Sequence, residues 1–68
     1  MRKRSVVIAG HSSSISMEEE FWAALKDMAA RRDLSLNALI TQIDEERSTQ
    51  NLSSAIRLAI LADLQSRT

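Results

Sequence analysis

The sequence predicts a mainly α-helical domain with one N-terminal strand, closed by the association of two copies into an intertwined homodimer. Three observations predict it. Apolar and polar residues alternate over residues 14–17, and three stripes of apolar residues at helical spacing follow. The chain has 68 residues, no cysteine and a single histidine. A chain this short buries only about 60% of the surface its unfolded form exposes. With neither a disulfide framework nor the ligands of a structural zinc site, oligomerisation is the remaining staple.

Composition removes several function classes. The chain is 44% apolar and 26% charged, the balance of a globular, water-soluble protein. No apolar run approaches the ~20 residues that span a bilayer. Arg2, Lys3 and Arg4 precede the apolar stretch Val6, Val7, Ile8, Ala9, but that stretch is shorter than the roughly 7 to 15 residues of a signal-peptide core, so the chain is expected in the cytoplasm. Nine basic and nine acidic residues cancel, which excludes a uniformly basic nucleic-acid coat and leaves local patches. Three of the nine basic residues stand in the first four positions, while acidic residues gather at 18–20 and 44–46.

The first 17 residues carry no Asp or Glu and combine the basic tip with β-branched residues and serines. Ile15 and Met17 share one face of a strand over residues 11–17, with Ser14 and Ser16 on the other. Upstream, Val6, Val7 and Ile8 are consecutive, so parity does not decide which faces inward. Gly10, the only glycine, marks a bulge or a turn. Two layouts follow for residues 1–10: part of one bulged strand from about Arg4 to Met17, or a separate arm that folds back or stays mobile.

Ser16 followed by Glu18, Glu19 and Glu20 reads as a helix start, because serine caps orphan N–H groups and carboxylates suit the positive end of the helix dipole. The first helix is predicted over residues 18–32, with Phe21, Leu25, Met28 and Ala29 as its core stripe and Lys26, Asp27 and Arg31 toward water. Trp22 is expected at a dimer seam or on the surface. Asp33 breaks the pattern, and Ser35 caps a second helix, residues 35–47, with Leu36, Leu39, Ile40 and Ile43 on one face. After a polar connector at residues 48–51, capped by Asn51, a third helix over residues 52–66 carries Leu52, Ile56, Ala59, Ile60 and Leu64. Leu58, Leu61 and Ala62 lie beyond that stripe and leave room for a second contact surface. A lone strand leaves its backbone groups unpaired, and the least costly partner is the same strand of a second copy, antiparallel about a two-fold axis.

The run Ser14-Ile-Ser-Met-Glu-Glu-Glu-Phe-Trp-Ala-Ala-Leu, followed by Ala29-Ala-Arg-Arg-Asp-Leu-Ser-Leu-Asn-Ala-Leu-Ile, resembles the ribbon-helix-helix DNA-binding domain of Arc and MetJ-type repressors. The likeness is greatest to a short stand-alone α-proteobacterial subgroup. Arg4, Ser5, Val6, Gly10, His11 and residues 51–55 match its two flanking motifs, and the resemblance covers nearly the whole chain. It implies a two-stranded antiparallel ribbon that enters the major groove of double-stranded DNA. Carried over by position, Ser12, Ser14 and Ser16 project toward base edges. Ile15 and Met17 turn into the dimer core, which Phe21, Leu25, Leu39, Ile40 and Ile43 complete. Ser35, Leu36 and Asn37 present backbone N–H groups at the start of the second helix to a phosphate, and Arg2, Lys3 and Arg4 are further phosphate candidates. The sequence departs from its relatives in two places: Asp33 stands where most have glycine in the turn, and serines replace the Arg, Lys, Gln or Asn common at base-reading positions.

No catalytic constellation is legible, so the chain is not expected to be an enzyme or to hold a metal or cofactor. The serines lack a histidine and carboxylate to activate them, and Asp44, Glu45 and Glu46 read as a solvated helix end. His11 beside Gly10 reads as a local hydrogen-bonding residue. The expected function is that of a repressor-like, sequence-specific DNA-binding regulator. The second reading, from a different class, is a protein-interaction module or antitoxin-like adaptor that keeps the fold without base reading, and a third is an unrelated monomeric helical bundle.

Overall fold

The computed structural model describes residues 2–8, 10–46 and 51–66. Two strands, β1 (Arg2–Ile8) and β2 (His11–Met17), lead into three helices, α1 (Glu19–Arg31), α2 (Leu36–Glu46) and α3 (Leu52–Ser66). The expected end of the second helix at Arg47 and the connector residues 48–50 lie outside the described residues.

Of the two layouts open for the N-terminal arm, the chain adopts the fold-back. β1 pairs antiparallel with β2 in a register that runs from Ile8 opposite His11 to Arg2 opposite Met17. Gly10 reverses the chain at φ 82, a left-handed conformation that glycine adopts without a Cβ penalty. β2 is therefore not a lone strand: the partner expected from a second copy is supplied in cis. The pairing also settles the parity upstream, since Val6 and Ile8 are buried and Val7 is half exposed.

The inner face of the ribbon and the three helices enclose one core. Ile15 and Met17 meet Leu25 and Met28 from α1, Leu39, Ile40 and Ile43 from α2, and Ala55, Ile56 and Ile60 from α3. All seven residues expected in the dimer core, Ile15, Met17, Phe21, Leu25, Leu39, Ile40 and Ile43, lie in or against this core. Within it Phe21 and Trp22 exchange roles. Trp22 is buried and Phe21 only partly so, because β1 returns over the Trp22 side and lays the Arg4 guanidinium 4.4 Å from the ring centroid. Leu64 is likewise outside the stripe predicted for it: it is exposed, and Asp63 turns inward to meet Arg31 at 2.9 Å and Arg32 at 3.5 Å. Ala55 completes the inner face of α3.

Local chemistry fixes the helix ends. Ser35 Oγ accepts from the Ala38 N–H at 3.1 Å and Asn51 Oδ1 from the Ser54 N–H at 3.1 Å, as caps should. Ser16 does not cap α1. The strand continues to Met17, whose side chain the core requires, and Glu18 becomes the N-cap residue without a side-chain cap bond. At the other end, the Leu34 N–H donates to the Ala29 carbonyl at 2.9 Å and the Asp33 N–H to the Ala30 carbonyl at 3.1 Å. With Asp33 at φ 56, these two bonds form a Schellman motif, and Leu34 packs on the core beyond it.

α3 is fastened to the edge of β2 that faces away from β1. The Ser16 N–H donates to Ser53 Oγ at 3.3 Å, and Arg57 Nη2 donates to the Ser16 carbonyl at 3.3 Å. The same Nη2 meets Glu18 Oε1 at 2.8 Å, and the guanidinium lies 5.7 Å from the Phe21 ring centroid. The hydrogen bond from Arg57, then one from the Glu18 backbone, holds the Glu18 carboxyl below its ordinary pKa.

A β-branched residue tolerates the left-handed region poorly, so Asp33→Val is expected to lose roughly 1–2 kcal/mol. Asp33→Gly retains full stability, and the urea midpoints of the two variants decide. Because the folded-state pKa of Glu18 is depressed, its contribution is present above the unfolded carboxylate pKa and lost as pH falls through the folded value. The urea midpoint of Glu18→Gln is therefore expected below that of the unaltered chain at pH 6, with the difference closing at pH 3.

Candidate nucleic-acid interface

Residues directly opposite one another in an antiparallel pair project to the same face. The register therefore divides the ribbon cleanly. Arg4 with Ile15, Val6 with Ser13 and Ile8 with His11 lie on the inner face. The outer face consists of three rungs: Lys3 with Ser16, Ser5 with Ser14, and Val7 with Ser12. Of its six side chains one is cationic, none is anionic, and three of the four hydroxyl residues, Ser5, Ser12 and Ser14, are exposed. Ser16 is half-buried, at the end of the ribbon held by α3.

Half of this face comes from β1. Ser5 and Val7 escaped the sequence reading, because without the fold-back the arm has no assigned face. The signal was present in the Gly10 turn and in Val6 and Ile8, whose spacing matches that of Ile15 and Met17. Lys3, read as a phosphate candidate, shares a rung with Ser16 and is exposed.

Arg4 is committed elsewhere. Its Nη2 meets both carboxylate oxygens of Glu19, at 3.0 and 3.2 Å, its guanidinium stacks on Trp22, and its Nε is buried without a hydrogen-bond partner among the described residues. Arg2 opens β1 opposite Met17. The start of α2 presents Ser35 and Asn37 exposed and Leu36 half-buried. The side chain of Ser35 is occupied as the cap, while the N–H groups of Leu36 and Asn37 belong to the first turn, which has no intrahelical acceptor. α2 packs against β1, which connects this helix start to the ribbon.

The edge of β2 is closed at one end. Both backbone groups of Ser16 turn to α3, so by the alternation of an antiparallel ladder those of Ser14 and Ser12 also point away from β1. A groove lined by Ser14, Ser16, Asn51, Leu52, Ser53 and Arg57 runs between this edge and the first turn of α3. Among the described residues no group of three or more His, Cys, Asp or Glu could hold a metal ion, and no helix is long and apolar enough to cross a membrane.

A family model described as ribbon-helix-helix domain matches residues 1–64. No curated protein and no solved structure matches the chain. The antiparallel ribbon followed by α1, the left-handed turn at Asp33 and α2 is consistent with that match, which extends into α3. The chain belongs to the ribbon-helix-helix domain family, a non-enzymatic family of DNA-binding regulators.

Proposed function

We propose that the chain is a cytoplasmic, sequence-specific transcriptional regulator of the repressor kind, which binds double-stranded DNA as a homodimer. The observation that carries the reading is the outer face of the ribbon, where hydroxyls and one lysine stand without a carboxylate on a two-stranded element of the width the major groove admits. Ser5, Ser12 and Ser14 meet base edges, with Ser16 at the margin. Lys3 reaches a guanine edge or a phosphate at the ribbon's end. The first-turn N–H groups of Leu36 and Asn37, with the positive end of the α2 dipole, hold a phosphate and set the register on the duplex.

The second copy has two places to add. The open edge at Ser12 and Ser14 offers backbone groups, but the Met17 end of that edge is covered by α3. The outer side of α3 offers Leu58, Leu61 and Leu64, at 60%, 49% and 47% exposure. Its two charged residues, Arg57 and Asp63, are drawn into ion pairs within the chain, so two such faces meet without like-charge repulsion. The same leucines favour the second reading, a protein-interaction or antitoxin-like adaptor. So do the zero net charge and the ion pairs that occupy Arg4, Arg31, Arg32 and Arg57.

Selection of bound duplexes from a random library at low and moderate salt separates the two readings. Enrichment of a palindromic motif, with affinity that falls as salt rises, is the outcome expected for the regulator. No enrichment from folded protein would leave the adaptor. Where Lys3 neutralises a phosphate, Lys3→Ala lowers the salt slope by about 0.9, whereas Ser14→Ala leaves the fold intact and changes the preferred bases. In sedimentation, the unaltered chain is expected at the mass of a dimer, and Leu58→Glu combined with Leu61→Glu at that of a monomer. A dimer that survives the double variant would place the second copy on the strand edge instead.

A further inference from the structure

One residue of the ribbon's outer face is neither polar nor explained by the core. Val7 is 50% exposed, while its neighbours Val6 and Ile8 fill the inner face. It stands opposite Ser12 on the rung nearest the turn and beside the Ser5–Ser14 rung. It is the only apolar side chain among the six of that face. We propose that Val7 is a specificity-determining residue that reads the 5-methyl group of a thymine in the major groove, an inference that rests on the ribbon being the reading head.

The chemistry of the groove supports this assignment. Its only apolar feature on a base edge is the thymine methyl, and a branched aliphatic side chain removes that methyl from water while offering no group that could hydrogen-bond to the other bases. Serine hydroxyls both donate and accept, so Ser5, Ser12 and Ser14 discriminate weakly by themselves. An adjacent residue that recognises one feature of one base supplies the selectivity the hydroxyls lack. β1 is also within reach. Paired strands lie about 4.8 Å apart, so both strands of this ribbon fit within a groove about 12 Å wide.

The register gives the footprint a length. Successive rungs are two residues apart, about 6.8 Å along the strand, which is close to two base-pair steps. Val7 and Lys3 mark the two ends of the face, four residues apart, with Ser5 between them. A thymine contacted by Val7 is therefore expected about four base pairs from a guanine or phosphate contacted by Lys3, with the hydroxyl contacts between.

The test uses the full chain and the duplex that the library selection enriches. Each thymine of the motif is replaced in turn by deoxyuridine, which removes the methyl and leaves every hydrogen-bonding group in place. Fluorescence anisotropy at fixed salt then measures affinity for the chain, for Val7→Ala and for Val7→Thr, which keeps the branched, strand-favouring shape. Circular dichroism confirms that each variant is folded. One buried methyl corresponds to about a fourfold change, so the unaltered chain is expected to lose about fourfold at one thymine in each half of the motif. Val7→Ala binds the thymine and deoxyuridine duplexes alike at that position, and Val7→Thr recovers part of the difference. Equal binding of both duplexes by the unaltered chain at every position would overturn the assignment while leaving base reading intact, as would discrimination that persists in Val7→Ala. If no motif is enriched, base reading itself falls and the assignment with it.

Discussion

The antiparallel pairing of β1 on β2 is the constraint from which the rest of the structure follows. A strand exposed on both edges cannot terminate a core, because its N–H and C=O groups would be left for any other chain to bind. The Gly10 turn brings residues 2–8 back over residues 11–17, and the choice of register decides everything built on it. A slip of one residue would move Val6 and Ile8 to solvent and bring Lys3, Ser5 and Val7 onto the core. The four apolar residues Val6, Ile8, Ile15 and Met17 thus specify the ribbon jointly with the helices they pack on.

Once the ribbon closes, its second edge must be managed, and α3 does this with polar contacts. Ser53 and Arg57 engage the backbone of Ser16, and Glu18 draws the same arginine toward the start of α1. These contacts are half-buried, and an ion pair that remains open to solvent contributes little alone, with a median of about 0–1 kcal/mol at the surface. Their effect is geometric. They set where the ribbon ends, and they hold the third rung, Lys3 with Ser16, at the margin of the outer face.

Much of this was legible from residues alone. The three helices, the Ser35 and Asn51 caps and the inward parity of Ile15 and Met17 rest on local patterns a single chain displays, while the left-handed turn at Asp33 follows from the resemblance to relatives with glycine there. What escaped depends on contacts distant in sequence. Trp22 is buried because β1 covers it, and Leu64 is exposed because Asp63 finds Arg31 and Arg32 across the bundle. Periodicity cannot anticipate either, since each is decided by a contact distant in sequence. Ser5 and Val7 were hidden for the same reason: only the pairing gives their strand a face.

Zero net charge is compatible with a DNA-binding surface once the charges are located rather than summed. Arg4, Arg31, Arg32 and Arg57 are held by Glu19, Asp27, Asp63 and Glu18. In each pair the carboxylate is taken from an α-helix or its cap and placed away from the ribbon's outer face, which keeps its single lysine and no acid. An electrostatically sparse head of this kind gains little from non-specific attraction to phosphates, because that term grows with the number of cations in reach. In the proposed regulator, discrimination then rests on short-range contacts to base edges, for which this ribbon offers hydroxyls and one exposed valine.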